Sequence, residues 1–232
     1  GRDDPVDRGG ELRAFLRRDF PNLLCVDLIC HGVPSPEVWG AYVRELETRH
    51  QAKAVRAFFR SKNIGWKEFA LAVTFADSAE YLGSLHHDPF LRGFLADLYN
   101  RPTCHQCLFR ELRSGADLTL GDYWNVAARF PDLDDNQGTS LVLASTQRGA
   151  EAFAQLAPQL VGRASDYTDA RRRNPYLFRS PVAHPKREKF FRNLKRGSVA
   201  TRIERLTRPS SRRRLRNWLG RRWRAFEKRM VR

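Results

Sequence analysis

The chain has 232 residues, a net charge of +16, 41% hydrophobic residues including 15 Phe and 5 Trp, and four cysteines. This is enough apolar material for one sizeable core, which excludes global disorder, and no apolar run approaches the ~20 residues needed to cross a bilayer. The sparse cysteines and the lack of a secretory pattern exclude a disulfide scaffold and point to the reducing cytoplasm.

Residues 1–10 (GRDDPVDRGG) read as a loop, expected as the remnant of a truncated N-terminal part. Residues 10–19 read as a short amphipathic helix stopped by Pro21. NLLCVDLIC (22–30) suits a buried strand; HGVPSP breaks it, and Ser35 with Pro36 caps and opens a helix to about residue 49. AVRAFFR (54–60) and FALAVTFAD (69–77) form a predicted hairpin around the loop SKNIGWKE. DPFLRGFLADLY (88–99) has helical spacing, and a Pro-opened loop then carries Cys104 and Cys107. ADLTLGDYW is a strand, LDDNQGTS a loop, SLVLAST a strand and QRGAEAFAQLAPQL a helix. From about 184 the chain is helical and increasingly basic, with a linker at 208–211. The alternation predicts an α/β (or α+β) domain over 11–207, a mixed sheet with flanking helices, followed by a basic helical tail over 208–232.

Cys25 and Cys30 stand five positions apart on one predicted strand, roughly 16 Å if extended and on opposite faces, so a single tetrahedral ion cannot take both. Cys25 therefore reads as a buried apolar thiol. Cys30 ends the strand, where α/β folds place ligand groups, and with Cys104 and Cys107 it makes three candidate metal ligands. Zinc completed by His31 or His105, a [4Fe–4S] cluster completed from elsewhere, and an unliganded thiol pair all remain open at this point.

Several motifs together resemble one family. VDLICHGVPSPEVW (26–39), FFRSKNIGWKEFAL (58–71), RPTCHQCLFR (101–110), ADLTLGDYW (116–124), DNQGTSLVLAST (135–146) and NPYLFRSPVAHPKREKFF (174–191) resemble, in order and spacing, the C-terminal region of the beta subunit of coenzyme F-420 hydrogenase/dehydrogenase. The resemblance covers roughly residues 11–195. It implies an iron–sulfur flavoprotein oxidoreductase that passes electrons between a [4Fe–4S] cluster, FAD and a substrate, with the coenzyme F-420 deazaflavin among the family's substrates and a polysaccharide gene context for many bacterial relatives. Carried over, Cys30, Cys104 and Cys107 are cluster ligands. The family's further cysteine, in a Pro-Cys-Gln motif, has no counterpart in 1–10. Either a missing N-terminal part or a redox partner protein is then expected to complete the module.

Thiolates suit iron that changes charge by one electron. In SKNIGWKE and the residue before it, Arg60, Lys62, Gly65 and Trp66 suit an anionic cofactor, with a solvated hairpin loop as the plain alternative. Gly121 and Asp122 suit contact with a ribityl or ring group, or Asp122 caps the next turn. His31 reads as a tuner of the cluster or a surface residue, and His86-His87 as surface. No P-loop, nucleophile elbow or G-x-G-x-x-G is present.

Residues 212–232 carry +9 of the net charge of +16. Leu215, Trp218, Leu219, Trp223, Phe226 and Met230 fall on one helical stripe, which suits an anionic membrane surface at the inner face of the membrane; nucleic acid is the less favoured partner. The alternative function is a degenerate, non-catalytic binding module attached to a membrane or partner by this helix.

Overall fold

The computed structural model describes residues 15–18 and 20–208. Most of the helix expected at 10–19 and all of 212–232 lie outside them. Among the described residues six strands form two three-stranded sheets: β1 (Val26–Leu28), β2 (Ala54–Ser61), β3 (Ala70–Phe75), β4 (Glu80–Ser84), β5 (Leu118–Asp122) and β6 (Ser140–Ala144). One sheet has the order β1-β5-β6, parallel between β1 and β5 and antiparallel between β5 and β6. The other, β2-β3-β4, is antiparallel throughout. The α-helices among the described residues that flank them are α1 (Pro36–His50), α2 (Pro89–Leu95), α3 (Gln147–Leu156), α4 (Tyr167–Arg173), α5 (Arg187–Arg192) and α6 (Val199–Thr207). The expected α/β class with flanking helices is observed, with the strands divided between two sheets.

Period decides how these elements bury themselves. In α1, Val38, Tyr42 and Leu46 recur every four residues and are the buried ones, whereas in β3 Leu71, Val73 and Phe75 alternate and point to the same core. That core is closed by Phe90, Leu91, Leu98 and Tyr99 from α2 and the residues after it, and by Val199, Ala200, Ile203 and Leu206 of α6. Beneath the mixed sheet a second cluster gathers Tyr123, Val126, Leu141, Ala170 and Leu177.

Three local expectations are corrected. The strand at 22–30 shortens to Val26–Leu28 and is an edge rather than a buried strand: among the described residues only β5 pairs with it, and Val26 and Leu28 are 49% and 70% exposed. Ser35 is the N-cap residue of α1 but makes no side-chain cap; its backbone N–H instead donates to the Tyr99 carbonyl at 2.9 Å. β4 extends the predicted hairpin into a meander, entered through a turn in which Ser78 has a left-handed φ of 68°. By contrast Asp88 caps α2 through its carboxylate, with Pro89 opening the helix as expected.

Candidate functional site

The two cysteine-bearing segments meet because their backbones are stitched together. Arg101 N–H donates to the Val33 carbonyl at 2.8 Å, Ser35 N–H to Tyr99 O at 2.9 Å, and Pro34 and Asn100 form an isolated β-bridge. Val33 N–H also donates to the Cys104 sulfur at 3.3 Å. The loop carrying Cys104 and Cys107 is a 3-10 turn, Pro102–Gln106, opened by Pro102. It is pinned from below: Cys107 N–H donates to Ser180 Oγ at 3.1 Å, and His105 Nδ1 lies 2.9 Å from the Pro181 carbonyl.

The result is a cavity of about 960 Å3 whose wall includes Cys30, Cys104 and Cys107 together with Cys25, Asp27, Arg110, Thr119 and Tyr176. Its mouth carries apolar side chains that stay open to solvent, among them Leu28, Leu108 and Phe109. Three buried polar atoms of the wall make no hydrogen bond: Asp27 Oδ1, Thr119 Oγ1 and Arg110 Nε. Asp27 and Thr119 are register partners across β1 and β5, so both lie on one face of the mixed sheet.

Cys25, expected as a buried apolar thiol, is only half-buried and lines the cavity. The reason is the short β1: Cys25 stands outside the strand, held by its N–H to the Asp117 carboxylate at 2.8 Å. His31 is not a surface residue. Its ring sits between Phe94 and Tyr176, centroids 4.8 and 4.6 Å away, and Nε2 lies 2.8 Å from Asp97 Oδ1. The same Asp97 oxygen accepts from Asn100 Nδ2 at 2.7 Å, tying the turn after Cys30 to the segment before Cys104. His86 and His87 are exposed, as expected.

Among the described residues no three His, Cys, Asp or Glu side chains are gathered closely enough to hold a metal ion. The three thiols share a cavity without meeting at one point. A single zinc needs its donors about one bond length (~2.3 Å) from a common centre, whereas a four-iron cluster spreads its thiolates over separate irons. In kind, the surroundings suit an anionic iron–sulfur group. An N–H points at Cys104 Sγ, the Arg110 guanidinium lines the wall, and Arg187, whose pKa is lowered by burial, feels the Cys104 thiol as an opposing influence.

The second set of predicted residues also comes together, on a seam between the two sheets. Arg60 Nη1 pairs with Asp122 Oδ2 at 2.8 Å and its guanidinium stacks on Phe69 (4.9 Å) and Trp66 (5.5 Å). Lys62 Nζ donates to the Gln137 carbonyl at 2.7 Å, and Trp66 N–H to Asn136 O at 2.9 Å. The hairpin loop is therefore anchored on the loop at 134–138, while Lys62, Asn63, Ile64, Lys67 and Glu68 stay exposed to solvent. Gly65 turns with φ +100°, a conformation costly for other residues, which brings it against the Asn136 side chain. Gly121 is needed for space: a Cβ there would stand 2.7 Å from Ile29 Cδ1. Asp122 caps no helix; besides Arg60 it accepts from Trp124 Nε1 at 3.2 Å. Trp124 packs edge-on against Tyr176 (5.8 Å), and Tyr176 touches both His31 and Arg110. A continuous chain of side chains thus runs from Trp66 and Arg60 through Asp122, Trp124 and Tyr176 to the cysteine cavity.

Sequence reasoning passed over Arg110, Tyr176, Asp97, Asn100, Asp27 and Thr119. Only Arg110 had a local signal, its place three residues after Cys107; the others reach the site through pairings distant in sequence.

No curated protein matches the chain significantly. Among solved structures it is similar to a chain of the F420-reducing NiFe hydrogenase complex from Methanosarcina barkeri, with 18% identity and a TM-score of 0.35 over 67% of this chain. The match spans 45% of that chain's length. The family model that describes the C terminus of the beta subunit of coenzyme F420 hydrogenase/dehydrogenase matches residues 12–169. The order of motifs, the paired cysteine segments and this match over more than half the sequence agree, and the chain belongs to the coenzyme F420 hydrogenase/dehydrogenase beta-subunit family.

Proposed function

We propose that the chain is the C-terminal part of an oxidoreductase module that passes electrons between a [4Fe–4S] cluster, FAD and a substrate or deazaflavin coenzyme. The observation that carries the reading is the convergence of Cys30, Cys104 and Cys107, from segments more than seventy residues apart, on one cavity. Cys30, Cys104 and Cys107 would hold the cluster, with a fourth donor from another part of the module or a partner protein. When bound, the cluster supplies one-electron transfer and the flavin converts between one- and two-electron steps.

The chain's own residues supply position and charge. The stitched turns at 31–35 and 97–101 hold two cysteine segments side by side, and Ser180 and Pro181 hold the third sulfur's loop. For FAD, the seam offers the Trp66 ring for stacking. It also offers two cations, Arg60 and Lys62, whose present partners are the Asp122 carboxylate and a backbone carbonyl that a phosphate can replace. Gly65, Gly121 and Asp122 shape that seam. The chain of aromatic and charged contacts from Trp66 to Tyr176 joins it to the cysteines.

Anaerobic purification of the full-length gene product should yield brown protein with iron, acid-labile sulfide and a flavin spectrum. Colourless protein without iron after anaerobic reconstitution would overturn the reading. It would favour the second one, a non-catalytic binding module, which draws on the fact that no three donors are gathered for a metal ion among the described residues. No helix among them is long and apolar enough to cross a membrane. On either reading the basic segment 212–232, with its apolar stripe, attaches the protein to an anionic membrane surface from the cytoplasmic side.

A further inference from the structure

Arg110 lies three residues beyond Cys107 and is 9% exposed, unusually deep for an arginine. Its Nη1 donates to the carbonyl of Cys30 at 2.8 Å and also to the carbonyl of Tyr176. One guanidinium on the Cys104–Cys107 arm of the site therefore grips the backbone of the cysteine on the other arm. Both acceptors are neutral carbonyls rather than carboxylates, so the buried charge is not neutralised by them, and burial of an uncompensated charge is costly. Its buried Nε has no hydrogen-bond partner, and the residue lines the cavity that Cys30, Cys104 and Cys107 share. A cation so placed lowers the energy of any anion brought into that cavity. Tyr176, over whose ring the guanidinium lies at 5.9 Å, continues the contact chain toward Trp124 and Asp122.

We infer that Arg110 is a positioning residue with two separable effects: its Nη1, bonded to both the Cys30 and the Tyr176 carbonyls, sets the spacing between Cys30 and the Cys104–Cys107 loop, and its charge raises the reduction potential of the iron–sulfur group held there. The first effect is a property of the polypeptide alone. The second rests on the function proposed above.

The test uses full-length protein carrying Arg110→Met, which removes the donor and the charge, or Arg110→Lys, which keeps the charge but on a shorter side chain without the guanidinium nitrogen that reaches both carbonyls. In iron-free, anaerobic protein, bis-maleimides of graded length are reacted, and the shortest reagent joining Cys30 to Cys104 or Cys107 is found by peptide mass spectrometry. Wild type should show one short bridging length; both variants should lose it in favour of longer reagents. After reconstitution, the midpoint potential followed by electron paramagnetic resonance should fall in Arg110→Met and stay near wild type in Arg110→Lys. Circular dichroism identifies any variant that fails to fold, and Arg110→Lys then carries the cross-linking arm. Unchanged bridging lengths in a folded variant would overturn the positioning role, and an unchanged potential in loaded Arg110→Met would overturn the electrostatic one. If wild type takes up no iron, the redox reading fails, while the cross-linking result still decides whether Arg110 sets the spacing.

Discussion

Asp88 offers the sharpest test of how this fold is held. It is fully buried; Oδ1 accepts from Leu91 N–H at 2.6 Å, and Oδ2 accepts from the hydroxyls of Tyr42 at 2.6 Å and Tyr81 at 2.9 Å. Asp88→Ala removes the cap of α2, a loss of about 1 kcal/mol. It also orphans hydroxyl hydrogen-bonding capacity in the core. The Tyr42 and Tyr81 oxygens are 3.3 Å apart and can satisfy one another in part, so about one buried donor is left unpaired, at about 1–3 kcal/mol. The expected loss is therefore about 2–4 kcal/mol, read as a lower urea midpoint at unchanged slope. Tyr42→Phe should cost less in the Asp88→Ala background than in wild type, because the hydroxyl it removes has already lost its acceptor. Additive losses, or a total below about 1 kcal/mol, would refute this account of the network. The pH dependence supplies a second check. Burial pushes the Asp88 carboxyl above its ordinary value, against the donors that pull it down. A raised carboxyl contributes stability in full below the unfolded pKa of about 4, and loses it as pH rises through the folded value. The advantage of wild type over Asp88→Asn should accordingly shrink as pH rises above about 4; an advantage that grows would contradict it.

Other expectations address the rest of the molecule. Gly149→Ala places a methyl against the Asp117 backbone carbonyl, which cannot yield, so α3 should lift from β5 with a loss of about 1–3 kcal/mol in denaturant titration. Arg60→Ala removes an ion pair whose members are 44% and 31% exposed, so stability should change by less than about 1 kcal/mol while flavin affinity, measured by fluorescence quenching, falls. Equal loss of stability and flavin affinity would instead mark Arg60 as a strut between the sheets. Deletion of residues 212–232 should abolish sedimentation with anionic vesicles and leave the melting temperature of the domain unchanged. Undiminished vesicle binding would remove the membrane role of that stripe.

The features legible along the chain are local or periodic. The four-residue recurrence in α1, the alternation of β3, the Asp-Pro opening of α2 and the Pro-opened cysteine loop each depend on neighbours within a few positions, so composition and spacing expose them. The motif order was sufficient to indicate the family and to single out Cys30, Cys104 and Cys107. The environment of those residues was hidden. The anchor of SKNIGWKE is the loop at 134–138, some seventy residues away, and the half-burial of Cys25 follows from its place just before the short β1, on an edge paired only with β5 among the described residues. The same holds for His31, whose place between Phe94 and Tyr176 no nearby residue announces, and for Arg110, whose acceptor lies eighty positions earlier. Hydrogen bonds between distant segments leave no period in the chain that makes them. The kinds of side chain at this site are therefore written along the sequence, whereas their pairings exist only once the two sheets and their turns have closed on one another.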